Sequence, residues 1–103
     1  MDYSAIIAKA KMNAKRWAIL RYLDDYYLEY GYGPVLREIG DACGVSSTSV
    51  VNFYLEPMRG AGLLDSMTLP SGHTAPRTLH VTDLGRELLA AWYIETEGGD
   101  WNG

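Results

Sequence analysis

Four short hydroxylated residues in a row, Ser46, Ser47, Thr48 and Ser49, lead into Val50, Val51, Asn52 and Phe53. Hydroxyls of this size donate and accept hydrogen bonds and let a helix approach its target closely. Just beyond them, the Asn52 amide sets a donor beside an acceptor, and Phe53 adds a flat apolar ring. This is chemistry of recognition by hydrogen bonds and apolar contact. Bond-making chemistry lacks its usual signatures. There is no Walker loop and no GxSxG elbow, and the glycine pair Gly60 and Gly62 has neither the preceding strand nor the following helix of a dinucleotide site. Asp24 and Asp25 are neighbours on a helix and point in different directions. Neither His73, His80 nor Cys43 falls in a compact metal-ligand set. The expectation is a protein without catalytic activity, metal or cofactor.

Something must present those side chains. Residues 37 to 64 read REIGDACGVSSTSVVNFYLEPMRGAGLL, two helical patterns joined by a glycine corner. A short helix from about Val35 to Cys43 has Leu36, Ile39 and Cys43 as its inner stripe, and Gly40 falls where another helix can come close. Gly44 suits a left-handed turn, Val45 packs the corner, and Ser46 or Ser47 caps the next helix. In that helix, steps of about 100° place Val51, Leu55 and Met58 on one face and turn Ser49, Asn52, Phe53 and Glu56 outward. Pro57 removes a backbone donor and crowds the Phe53 carbonyl, so a kink or a break is expected there.

The flanks complete the pattern. Residues 3 to 11 form a helical arm with Ile6, Ile7 and Ala10 along one side, and Asn13 caps a long helix ending near Tyr30 at the Gly-Tyr-Gly-Pro stop. Residues 63 to 69 and 77 to 82 read as the two strands of a hairpin whose tip is Pro-Ser-Gly-His-Thr-Ala-Pro, and Thr82 caps a last helix. The chain is therefore mainly α with a small β-hairpin, in the order of a winged helix-turn-helix. In that fold the second helix of the pair enters a major groove about 12 Å wide while the first crosses the backbone. One domain spans 1–94, with the arm at 1–11 and the C-terminal helix at 82–94, followed by a flexible acidic tail at 95–103.

The formal net charge of −4 runs against a nucleic-acid partner, whose phosphates call for a basic surface. Four of the thirteen acids, Asp2, Glu95, Glu97 and Asp100, lie at the two ends, which leaves nine acids against nine bases in between. No run approaches the roughly 20 apolar residues of a membrane span and no signal peptide is recognisable, so a cytoplasmic protein without a membrane partner is expected. The single Cys43 reads as a buried thiol.

Residues 12 to 64 resemble the DNA-binding domain of the LexA repressor family. YGYGP stands where that family has a Gly-x-Pro-Pro type break, LREIGDACGV matches its second helix, and the spacing from Gly44 to Gly62 with the closing GLL also fits. The hairpin and HVTDLGRELL resemble instead the wing and ending of MarR-like regulators. The resemblance implies that Ser49, Val50, Asn52 and Phe53 read bases, Asn52 by a bidentate amide to adenine and Phe53 against a thymine methyl. Ser46, Ser47 and Thr48 then contact phosphates, joined by Arg37 and, around the wing, by Arg59, His73 and Arg77. The self-cleaving Ser and Lys pair of the family has no counterpart in this sequence. The implied function is sequence-specific binding of double-stranded DNA as a bacterial or phage type repressor, working as a homodimer through the terminal helices. A winged helix that binds a protein partner, or inhibits a host factor, is the alternative, favoured by the acidic balance and by Glu56 on the outward face.

Overall fold

The computed structural model describes residues 2–96. Along them the chain forms α1 (Ser4–Lys9), α2 (Ala14–Tyr30), α3 (Leu36–Cys43), α4 (Thr48–Gly60), β1 (Leu64–Asp65), β2 (His80–Val81) and α5 (Asp83–Thr96). The two strands pair antiparallel, Leu64 opposite Val81 and Asp65 opposite His80. The expected winged helix-turn-helix is the fold observed.

Local chemistry sets the boundaries. The Asn13 side chain accepts from the Arg16 amide and starts α2, and Gly31 ends it in a left-handed conformation. Val35 stands just outside α3, its amide donating to Glu38 Oε1 at 2.9 Å, so α3 begins one residue later than its periodicity suggests. Gly44, at φ +74°, makes the sharp corner. The Ser47 hydroxyl caps α4 by accepting from the Ser49 amide. Thr82 accepts from the Gly85 amide at the start of α5 and also donates to the Gly62 carbonyl, which ties that helix to the end of α4. α5 continues to Thr96, two residues past its expected end, and the acidic tail from 97 onward lies outside the described residues.

One apolar stripe from each major helix meets in the core. Ile19, Leu20 and Leu23 of α2, Ile39 of α3, Val51, Leu55 and Met58 of α4, and Leu88 of α5 are all buried, with Leu63 closing the base of the hairpin. From the arm, Ala10 is fully buried and Ile6 packs against the core, whereas Ile7 is exposed. α3 and α4 approach so closely at their corner that a Cβ on Gly40 would stand 2.5 Å from the Val45 carbonyl oxygen. Cys43 is only half-buried, and that burial raises its thiol pKa.

Two sequence expectations need correction. α4 runs unbroken through Pro57 to Gly60. Its missing N–H leaves the Phe53 carbonyl short of a partner, and a side chain from α2, described below, supplies one. The hairpin strands are two residues each instead of six or seven. Beyond Asp65 the ladder gives way because the Thr78 hydroxyl takes the Met67 amide at 3.0 Å and donates to the Ala75 carbonyl, while Arg77 sits at φ +59°. Only an isolated bridge between Thr68 and Thr74 pairs the wing further out.

Candidate nucleic-acid interface

The burial of Val51, Leu55 and Met58 turns the opposite side of α4 to solvent. Ser49, Val50, Asn52 and Phe53 are all exposed there, Phe53 at 66%. An exposed phenylalanine is unusual for a ring that gains so much by burial, and here it stands beside a polar amide on one convex strip. Glu56 shares the strip and is also exposed.

Two groups of residues flank it. On the side of the corner, Arg37, Ser46, Ser47 and Thr48 surround a shallow depression, together with Asp41. Arg37 is exposed and its side chain makes no hydrogen bond or ion pair with any described residue, so its guanidinium projects freely from the first turn of α3. Ser47 is already engaged as the α4 cap, whereas Ser46 and Thr48 are exposed. On the side of the wing, Asn52 and Arg59 face Val35, Thr74, Pro76 and Arg77 across a groove of about 290 Å³. Arg59 reaches across to β1's end, donating to the Ser66 hydroxyl at 2.7 Å. His73 lies apart, at the tip of the wing, with Ser71 as its neighbour at 3.3 Å.

Arg77 occupies a different position from the free wing cation expected. Its Nη1 donates to Glu38 Oε1 at 3.1 Å, to the Tyr26 hydroxyl at 3.0 Å and to the Gly33 carbonyl at 3.4 Å, and the guanidinium lies 5.3 Å from the Tyr32 ring centroid. The wing is thus fastened to α2 and α3. Glu38, gripped by the Val35 amide first and by Arg77 next, is held below its ordinary pKa of 4.5. A carboxylate depressed in the folded state contributes stability above its ordinary pKa and loses it as pH falls through the lower, folded value. Glu38→Gln is therefore expected to melt at a temperature that changes less than the wild type's below about pH 4.5. Melts taken from neutrality into that acid range check it, and curves that stay parallel would count against the latch.

Two further cations, one beside this surface and one behind it, were not singled out from the sequence. Lys15 donates to the Cys43 carbonyl, at the end of α3 where a cation complements the helix dipole, so the corner carries a positive charge beside Gly44. Arg16, on the core side of α2, is the one buried charged residue among those described, only 4% exposed, and it reaches the back of α4. A basic residue one turn before Ile19 and Leu20, on the apolar side of its helix, was the available clue. Among the described residues no group of three His, Cys, Asp or Glu side chains gathers as metal ligands, and no helix is long and apolar enough to cross a membrane.

The chain is 42% identical over 76 residues to the LexA repressor of Lacticaseibacillus casei, a match covering 73% of this chain and 34% of that protein. The LexA repressor of Oenococcus oeni matches at 38% over 84 residues, 82% of this chain and 36% of the relative. That of Limosilactobacillus reuteri matches at 33% over 91 residues, 88% and 41% respectively. The chain thus spans about a third of the length of the relatives it matches. No protein-family model matches it, and no solved structure does. These relatives carry the LexA side of the resemblance, and the MarR-like wing and ending rest on their motif alone.

Proposed function

From its resemblance to the LexA repressors and its winged helix-turn-helix fold, we propose that this chain is a DNA-binding repressor module that reads a specific double-stranded sequence through α4. The observation that carries the reading is the uncovered strip of Ser49, Val50, Asn52 and Phe53, opposite the buried stripe of the same helix. A helix presented in this way fits the major groove, where an asparagine amide pairs with adenine and an apolar group meets a thymine methyl. Arg37, Ser46 and Thr48 grip phosphates on one side, and Arg59 with the wing tip at His73 grips them on the other. Arg77 acts through the wing it fastens, with its side chain as a whole still 40% exposed. The proposal includes no catalytic step.

Two copies on a two-fold-related site belong to the same reading, with half-sites about one helical turn apart or a multiple of it. In support, α2 and α5 carry an apolar groove between Ala18, Tyr22 and the stacked rings of Trp17 and Trp92, 5.0 Å apart. Its rim bears Arg21 and Asp25, which pair with each other at 3.7 Å and leave the apolar floor as the surface a second copy would cover.

The test is selection of bound sites from random duplexes at low ionic strength, followed by a salt titration. A recurrent, two-fold-related motif is expected, with log affinity falling linearly in log salt. Arg37→Ala should lower that slope by about 0.9, the share of one phosphate, and leave the motif unchanged. Retention of no duplex, or a salt-independent affinity, would sink the proposal.

A further inference from the structure

Arg16 lies behind the strip and is shielded from solvent. Its Nε donates to the Tyr54 carbonyl at 2.9 Å, its Nη2 to the Phe53 carbonyl at 3.3 Å and its Nη1 to the Lys11 carbonyl at 3.0 Å. The guanidinium carbon lies 5.6 Å from the Phe53 ring centroid and 5.1 Å from that of Tyr54, and these two rings meet edge to face at 5.7 Å. Arg16 has no ion pair with a described carboxylate. A buried cation is costly unless hydrogen bonds and ring faces replace its water, and here backbone carbonyls and two aromatic rings do so.

The position of these bonds matters more than their number. Phe53 is four residues before Pro57, so its carbonyl is the one that a proline at 57 deprives of a helical donor. Arg16 restores a donor there, and it holds the same residue's ring on the outward face. Through Lys11 it also ties this part of α4 to the bend between α1 and α2, where Lys11 itself sits at φ +55°.

We infer that Arg16 is a positioning residue for sequence reading: buried and out of reach of DNA, it sets the direction of the Phe53 ring and the path of α4 beneath Asn52. The inference rests on the DNA-reading proposal for α4. Arg16 bonds only to residues 11, 53 and 54 and not to Arg37, Ser46 or Thr48, so the phosphate grip proposed for those three should not depend on it. Lysine in place of Arg16 keeps the charge but has no planar fork, so it cannot serve the carbonyls of residues 11, 53 and 54 together.

The experiment measures the ratio of affinities for the selected motif and for random duplex, in the full chain, with circular dichroism reporting the folded fraction. That ratio is unaffected by a loss of folded protein. Arg16→Lys should reduce it at least tenfold, at the same base pair that Phe53→Ala relaxes, while random binding by the folded protein and the salt slope stay at wild-type values. The two substitutions together should lose little more than either alone. Pro57→Ala returns an N–H to the Phe53 carbonyl, so adding it to Arg16→Lys should recover the ratio at least threefold.

Arg16→Lys selecting the wild-type motif with an unchanged ratio overturns this inference alone. So do losses from Arg16→Lys and Phe53→Ala that multiply independently. If Arg16→Lys does not fold by itself, Pro57→Ala is compared with and without it. A ratio lower in the double variant than in Pro57→Ala alone, at the base pair that Phe53→Ala relaxes, supports the inference, and an equal ratio overturns it. A wild-type chain that retains no duplex removes the DNA-reading proposal, and the role of Arg16 falls with it.

Discussion

Gly40→Ala is expected to destabilise the protein by about 2 kcal/mol, seen as a fall in melting temperature of roughly 8–16 °C. Two effects oppose each other. Alanine in place of glycine inside a helix is worth up to about 1 kcal/mol in propensity, which favours the variant. Against it, the new methyl would stand 2.5 Å from the Val45 carbonyl oxygen and 3.5 Å from Val51 Cγ2. The first of these is backbone, which cannot swing aside, so α3 and the corner must move apart and disturb the packing of Ile39 against Val51. Overpacking of this kind costs about 1–3 kcal/mol and occasionally more, so the clash outweighs the propensity. DNA affinity should fall as well, since Arg37 and Ser46 are carried on the two sides of that contact. A variant that melts at or above the wild-type temperature would show that the helices do not meet as described.

Asn52→Ala is expected to act on specificity instead. The Asn52 side chain is exposed and makes no hydrogen bond with a described residue, so stability should stay within about 0.5 kcal/mol of wild type. A bidentate amide on a base edge is worth about 1–3 kcal/mol of discrimination, so preference for the best site over its single-base variant at that position should drop roughly 5- to 150-fold. Affinity for random duplex and the salt slope should not change. A uniform loss across all sequences would move Asn52 from base reading to backbone contact, and no loss would remove it from the interface.

Much of the fold was legible because its determinants are local. Asn13 caps the residue three places on, Gly44 needs only its own backbone freedom, and Val51, Leu55 and Met58 recur at a helical interval that any wheel shows. The outward placing of Ser49, Asn52, Phe53 and Glu56 followed from the same periodicity, whereas Val50 came from the resemblance. What escaped was set by partners far along the chain. Arg77 meets Tyr26 across 51 positions and Glu38 across 39, and Arg16 meets Tyr54 across 38. Periodicity does not reach that far. The same blindness explains Pro57: the loss of a donor was visible, whereas the replacement came from another helix. The hairpin was overestimated because its residues suit strands, while the Thr78 hydroxyl competes for the amide that a longer ladder would have used.

The grip of Arg16 on α4 is made to main-chain oxygens, which every amino acid carries. Replacing the letters at 53 and 54 alters the rings beside it but leaves both acceptors in place. Scaffold and vocabulary are in this way separable: substitutions at the outward positions of the helix leave the main-chain fastening beneath them in place.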